Sequence, residues 1–296
     1  GADRASFLNG FCTNDLKRLE PGQGCEAFVT SAKGRVEGHL LVFCLPEMLV
    51  LDTAAGQAEQ LLTHLDRYLI REDVRLKDIT HDHARWLIGG PHAAAILAAR
   101  VGIAPPSEIC GVTTATVDGH PVPVFRVPWL RVPAFLVACP IAARPALQQA
   151  LTSADVPRVE PAVIEAARVE AGFPAYGRDI TAENLPQEVN RDRQAISFRK
   201  GCYLGQETVA RLDALGHVNR RLMGLKWDRG ATLRNEPQVL LVGDQEVGRV
   251  TSTVWSPRFR TPLSLAYLRR GHDQPGRRLE THWGQAKVVR FVDSSG

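Results

Sequence analysis

Lys200-Gly201-Cys202-Tyr203-Leu204-Gly205-Gln206-Glu207 sets a cysteine between two glycines and beside the cations Arg199 and Lys200. Glycine lets backbone approach a ligand closely, and nearby positive charge favours the thiolate of a solvent-reached thiol, so Cys202 is a candidate nucleophile or redox thiol. The competing reading is a buried cysteine in a tight turn ahead of a helix, because free cysteines are among the most buried residues. Glu37 and His39, two positions apart on a strand-like run, would share a face. A lone strand histidine is more often a packed residue than a catalyst. His81 and His83 also have one-face spacing, but no third ligand at zinc spacing accompanies them, and they read as surface.

The six cysteines, Cys12, Cys25, Cys44, Cys110, Cys139 and Cys202, form no CxxC and no run that would hold an iron-sulfur cluster. They read as reduced thiols of a cytoplasmic-type compartment. No stretch approaches the ~18 apolar residues of a membrane span, and no charged head followed by an apolar segment opens the chain as a secretory signal would. The 296 residues, 44% hydrophobic and 23% charged, suffice for two or three domains and exclude a disordered tail or a disulfide mini-protein. A net charge of +4 falls short of a nucleic-acid footprint, so direct nucleic-acid contact is not expected.

The elements that must position these residues follow from periodicity. Residues 26–44 predict a hairpin about Ala32-Lys33-Gly34, and Met48 to Thr53 a further strand. Leu61, Leu62, Leu65, Tyr68 and Leu69 lie at helical spacing, and Val74 to Ile79 predicts a return to strand. WLIGG followed by PHAAAILAARV repeats the strand-to-helix move; three strand-like runs span 112–139, and helices are expected over 141–151 and 161–171. Phe173 to Phe198 is polar and irregular, which predicts a functional loop or a linker. Beyond Arg220 the runs LMGLKW, QVLLVG, EVGRVTSTVW, PLSLAYL and AKVVRFV predict a small separate β-barrel or sandwich. The class is therefore α+β, without a glycine-rich dinucleotide fingerprint.

KGCYLGQE resembles the signature of the YgfZ-type folate-binding proteins, whose eukaryotic relatives are mitochondrial iron-sulfur assembly factors. FLNGFCTNDLKRLEPGQG, AKGRVEGHLLVF, HLDRYLIREDVRL, RVEAGFPAYGRDITAENLPQE and EVGRVTSTVWSP resemble successive blocks of the wider superfamily that contains the glycine cleavage T protein, an aminomethyltransferase. The resemblance implies a cloverleaf of small α/β domains around a channel for tetrahydrofolate or a one-carbon derivative. Residues 1–217 would form the folate-binding region as two interleaved subdomains, and 218–296 the C-terminal β-barrel. Glu170 falls where the superfamily places its pterin-binding glutamate, a carboxylate that can accept the amino group and ring N–H side by side. Asp52 falls near a folate-contacting position, Tyr176 would line the channel, and Arg211, with Arg220 and Arg221, would meet the anionic tail. Their competing readings are a solvated glutamate, a cap aspartate, a junction tyrosine and a solvated basic face. The family usually carries a few dozen residues ahead of the GADRASFL block, so a trimmed or fragmentary N-terminus is expected.

In the aminomethyltransferases of this superfamily a catalytic aspartate precedes the apolar run of the hairpin's second strand. Here His39 precedes Leu40-Leu41-Val42-Phe43, and Arg126-Val127-Pro128-Trp129 stands where an arginine-glycine-tyrosine block is usual. The resemblance therefore implies a tetrahydrofolate-binding, YgfZ-like protein supporting iron-sulfur cluster assembly or repair, and through it cluster-dependent enzymes such as those that modify tRNA. Cys202 would be its functional thiol, and folate and iron-sulfur proteins or assembly factors its partners. The alternative is a folate-dependent aminomethyltransferase or demethylase with His39 or Glu37 as base. A third reading is a scaffold that has lost its ligand, against which the retention of Glu170 speaks.

Overall fold

The computed structural model describes residues 1–152, 156–231 and 238–290. Helix α1 (Arg4–Asn9) buries Phe7 and Leu8 and leads to the antiparallel strands β1 (Gly24–Thr30) and β2 (Val36–Cys44), joined through Ala32-Lys33-Gly34. Strand β3 (Leu49–Asp52) adds to the free edge of β2. Every residue of β2 except Glu37 is buried, because both faces of the strand are covered. Leu40 and Val42 pack with α1 and with Leu61 and Leu65 of α2 (Ala58–Asp66), whereas Leu41 and Phe43 pack against a second sheet. Burying each such side chain contributes about 1.5–3 kcal/mol, so this two-faced strand is the anchor of the N-terminal half.

Two local expectations are corrected here. Residues 74–79 form no strand: Val74 and Leu76 pack against the core beneath α1, so their alternation records burial without ladder pairing. Helix α2 ends at Asp66, and Tyr68 and Leu69 follow in turns whose amides donate to the carbonyls of Leu65 and Asp66.

The second sheet comprises β4 (His83–Gly89), β5 (Val112–Val117), β6 (His120–Arg126) and β7 (Ala134–Pro140) in the order β4-β7-β6-β5, all antiparallel. Between β4 and β5 runs α3 (Ala93–Val101), and α4 (Arg144–Leu151) follows β7; Leu97 and Leu147 cover one sheet face with Val122, Val124 and Val137. The alternate residues Phe125 and Leu136 face Leu41 and Phe43.

Helix α5 (Pro161–Ala171) opens on a proline and ends at Gly172. The segment after it is a largely irregular loop, packed into the core and so no linker. Ile180, Val189 and Ala195 are fully buried in one core with Phe28 and Val36, and the strap contains a 3₁₀ turn, Pro186–Val189, and a single helical turn, α6 (Asp192–Ala195). Helix α7 (Gln206–Leu215) then leads to β8 (Arg220–Trp227), β9 (Gln238–Val242), β10 (Gln245–Ser256), β11 (Thr261–Arg269), β12 (Arg278–Thr281) and β13 (Gly284–Val289). Their order is β12-β13-β8-β11-β10-β9, and β12 returns beside β9 to leave a nearly closed barrel around Leu225, Trp227, Leu240 and Leu268. Phe291 and Val292, the end of the predicted AKVVRFV run, lie outside the described residues.

An ionic clamp fixes the barrel to α5. Arg168 donates to Asp179 Oδ2 at 2.7 Å and to Ser252 Oγ at 3.0 Å, while Asp179 Oδ1 accepts from Thr251 at 2.5 Å and from Ser252 at 2.7 Å.

Candidate functional site

The KGCYLGQE turn is an architectural junction from which one thiol projects. Lys200 is buried, and its Nζ donates to the carbonyls of Asn9 at 2.7 Å, Cys12 at 2.5 Å and Asn14 at 2.8 Å, pinning the end of α1 and the chain that follows it. The ammonium also lies 4.8 Å from the ring centre of Tyr203, a core residue whose hydroxyl burial pushes up to about 12. Gly205 has φ +80°, and a Cβ there would fall 2.3 Å from the Ser31 carbonyl oxygen and 2.7 Å from Gly34 Cα, so only glycine permits the hairpin tip to seat on the start of α7. Gln206 and Glu207 open that helix. Gly201 and Cys202 are exposed, and Cys202 is the one exposed thiol of the six.

A cavity of about 390 Å³ lies elsewhere, between β1, the turns before β5 and β7, the end of α5 and the strap. Its polar wall includes Cys25, Glu26, Arg131, Asn190, Arg191 and Gln194. Glu26 is fully buried and accepts from His39 Nε2 at 2.7 Å, from Arg191 Nη2 at 2.5 Å, and from Arg191 Nε. Burial alone pushes this carboxyl up, but the Arg191 charge and the hydrogen bonds from Arg191 and His39 outweigh it and bring the pKa to about 2. Glu26 is thus an anion, so His39 Nε2 carries a proton and, in the neutral ring, Nδ1 is the acceptor. His39 is held between Phe28 at 5.1 Å and Phe173 at 5.2 Å, and the Arg191 guanidinium lies 5.0 Å from the Phe173 ring centre. Burial pushes the cavity thiols of Cys25 and Cys110 up, the latter to about 12.

None of the sequence-predicted folate residues is in the lining of this cavity. Glu170 stands at the end of α5, directly before the cavity-lining Ala171 and Gly172; its Oε1 accepts from the Ser256 hydroxyl and, at 3.4 Å, from the Arg258 amide. Asp52 is buried at the end of β3 and paired with Arg85 at 2.7 Å; burial outweighs that arginine and lifts its carboxyl to about 6. Neither Asp52 nor Tyr176 lines the cavity; the Tyr176 hydroxyl donates to the Val36 carbonyl at 3.4 Å. Arg211 is exposed on α7, whereas Arg220 pairs with Glu188 at 3.0 Å and covers the Tyr267 ring at 5.3 Å. Arg221 is half-buried, with its Nε unpaired among the described residues. Glu37 accepts from Gln60 at 3.4 Å, His81 is exposed, and His83 contacts the Ile79 carbonyl.

Sequence reasoning missed Glu26 and Arg191. The available signal was Glu26 itself: it shares the buried face of β1 with Phe28, and a carboxylate at such a position requires a cationic partner.

The chain belongs to the glycine cleavage T-protein family: residues 1–200 match the GCVT N-terminal domain and residues 220–292 the glycine cleavage T-protein C-terminal barrel domain. It is 29% identical over 266 residues to an aminomethyltransferase of Saccharopolyspora erythraea, covering 88% of this chain and 72% of that one. A putative chloroplastic transferase of Arabidopsis thaliana is 26% identical over 278 residues, with 91% of this chain and 62% of the relative covered. The crystal structure of glycine cleavage system aminomethyltransferase T from Bartonella henselae shares the fold, with a TM-score of 0.83 at 23% identity over 99% of this chain and 82% of that one. Among the described residues no helix is long and apolar enough to cross a membrane, and no group of three or more His, Cys, Asp or Glu could hold a metal ion.

Proposed function

We propose that this chain binds tetrahydrofolate in the cavity beside Glu26 and acts as a folate-dependent one-carbon transferase of the aminomethyl type. The observation that carries the reading is the cavity itself. At about 390 Å³ it has the size of a small-molecule site, with apolar sides from Leu130, Val189 and Leu222 and a charged wall at Glu26 and Arg191. Tetrahydrofolate would supply the amine nitrogens that take up the one-carbon unit. Glu170, next in sequence to the cavity-lining Ala171, has Oε2 without a hydrogen bond among the described residues, so it would offer one oxygen to a pterin N–H while Oε1 stays on the barrel. Arg131 lines the cavity and is a nearer cation for the anionic tail than the exposed Arg211.

Anaerobic calorimetry with tetrahydrofolate, followed by assay of methylenetetrahydrofolate from aminomethyl donors, tests this reading. Binding with turnover is expected. An absence of binding by the wild type overturns it.

The exposure of Cys202 favours a second reading, in which the same folate-binding chain uses this thiol in iron-sulfur cluster assembly or repair, with cluster-dependent enzymes such as tRNA-modifying ones as beneficiaries. Binding without turnover, together with loss of cluster-enzyme activity in Cys202→Ala cells, would select it.

A further inference from the structure

We propose that Glu26, held by Arg191, is the acceptor for an N–H edge of a flat heterocycle in the cavity, the pterin ring when the ligand is a folate. The inference rests on the folate-binding reading above and names a binding residue within it. An ionised carboxylate offers about four acceptor sites. Three donors engage Glu26, two on Oε1 and one on Oε2, so Oε2 retains acceptor capacity. The two aromatic rings around His39 and the cation over Phe173 fix the donors, and through them the direction of the carboxylate. Such preorganisation favours a charge-assisted hydrogen bond to a ligand.

A second buried ion pair in the same chain supplies the contrast. Arg168 and Asp179 are as deeply placed, but Thr251 and Ser252 close around Asp179, and neither partner lines the cavity. Glu26 and Arg191 instead form part of a cavity wall, next to the amides Asn190 and Gln194 and across from apolar side chains that suit the faces of a ring. Glu170 has one oxygen committed to the barrel, which leaves room for a second carboxylate in head-group recognition.

The probes are tetrahydrofolate and a tetrahydropterin that lacks the aminobenzoylglutamate tail, each titrated anaerobically into wild type, Glu26→Gln and Glu170→Ala. Glu26→Gln is expected to weaken both ligands at least tenfold, the ordinary effect of losing a hydrogen bond to a charged group. Because Glu26→Gln disturbs a buried network, the wild type carries an independent readout: methyl methanethiosulfonate labelling of Cys25, which lines the cavity, against exposed Cys202 as reference. The tail-less pterin should slow labelling of Cys25 at least fivefold and leave Cys202 unchanged. Tetrahydrofolate binding with neither a Glu26→Gln effect nor Cys25 protection overturns this inference alone, whereas a wild type that binds no folate overturns the reading beneath it.

Discussion

Two cations nine residues apart, half-buried Arg191 and buried Lys200, serve opposite ends. The Lys200 ammonium has three donors, and backbone carbonyls at the end of α1 and in the segment after it take them, leaving a tied junction outside the lining of the cavity beside Glu26. Arg191 pairs with a side-chain carboxylate at a cavity wall, where a ligand can share the acceptor. The more conspicuous motif builds architecture, and an unremarkable arginine in a polar strap builds the pocket. A cation answered by backbone is committed to the fold, whereas one answered by a carboxylate at a wall still leaves chemistry available.

The largest effect should come from Glu26→Ala, which strands Arg191 and His39 and is expected to cost about 3–5 kcal/mol in denaturant unfolding. Because folding lowers the Glu26 pKa from 4.5 to about 2, its stabilisation is full above about 4.5 and fades as pH falls towards 2. The difference between wild type and variant should therefore close in acid; a constant difference would break the assignment of Glu26 as the paired anion. Lys200→Met should cost about 1–3 kcal/mol by leaving carbonyls without a donor, while tetrahydrofolate affinity stays unchanged. A fall in affinity at intact stability would erase the distinction between the two cations. Cys202→Ser, at an exposed position, should shift stability by less than about 0.5 kcal/mol and leave the calorimetric affinity at the wild-type value.

Much of the fold was legible because its signals are local. The glycine turn of the hairpin, the apolar run from Leu40 to Phe43 and the even strand spacing after Arg220 each lie within a short window. The strap was read as a loop because Ile180, Val189 and Ile196 follow no single period; its burial depends on distant partners, as when Thr13 donates to the Ala195 carbonyl at 2.6 Å and Asn14 to that of Gln194 at 3.0 Å. The site was less legible for the same reason. Glu26 and Arg191 are 165 positions apart, and nothing in either neighbourhood names the other. Cys202 was placed as a candidate by its glycines and neighbouring cations, but those features also make the junction that presents it. The charges on Arg199 and Lys200 could be counted in the sequence; that Lys200 spends its donors on carbonyls could not.

The clamp between α5 and the barrel bears on modularity. Arg168 and Asp179 draw on Ser252 and Thr251, and Glu170 draws on Ser256, so hydroxyls of one β-strand complete the polar interior of the preceding region. Severing the chain ahead of β8 would leave an arginine and two carboxylates short of their partners, along with the apolar seam where Leu222, Leu265 and Tyr267 meet Phe28 and Val169. The barrel is consequently a poor cassette for exchange between homologues: a graft would have to carry the hydroxyl pattern of β10 with it, and recombination at the boundary would fail for chemical rather than topological reasons.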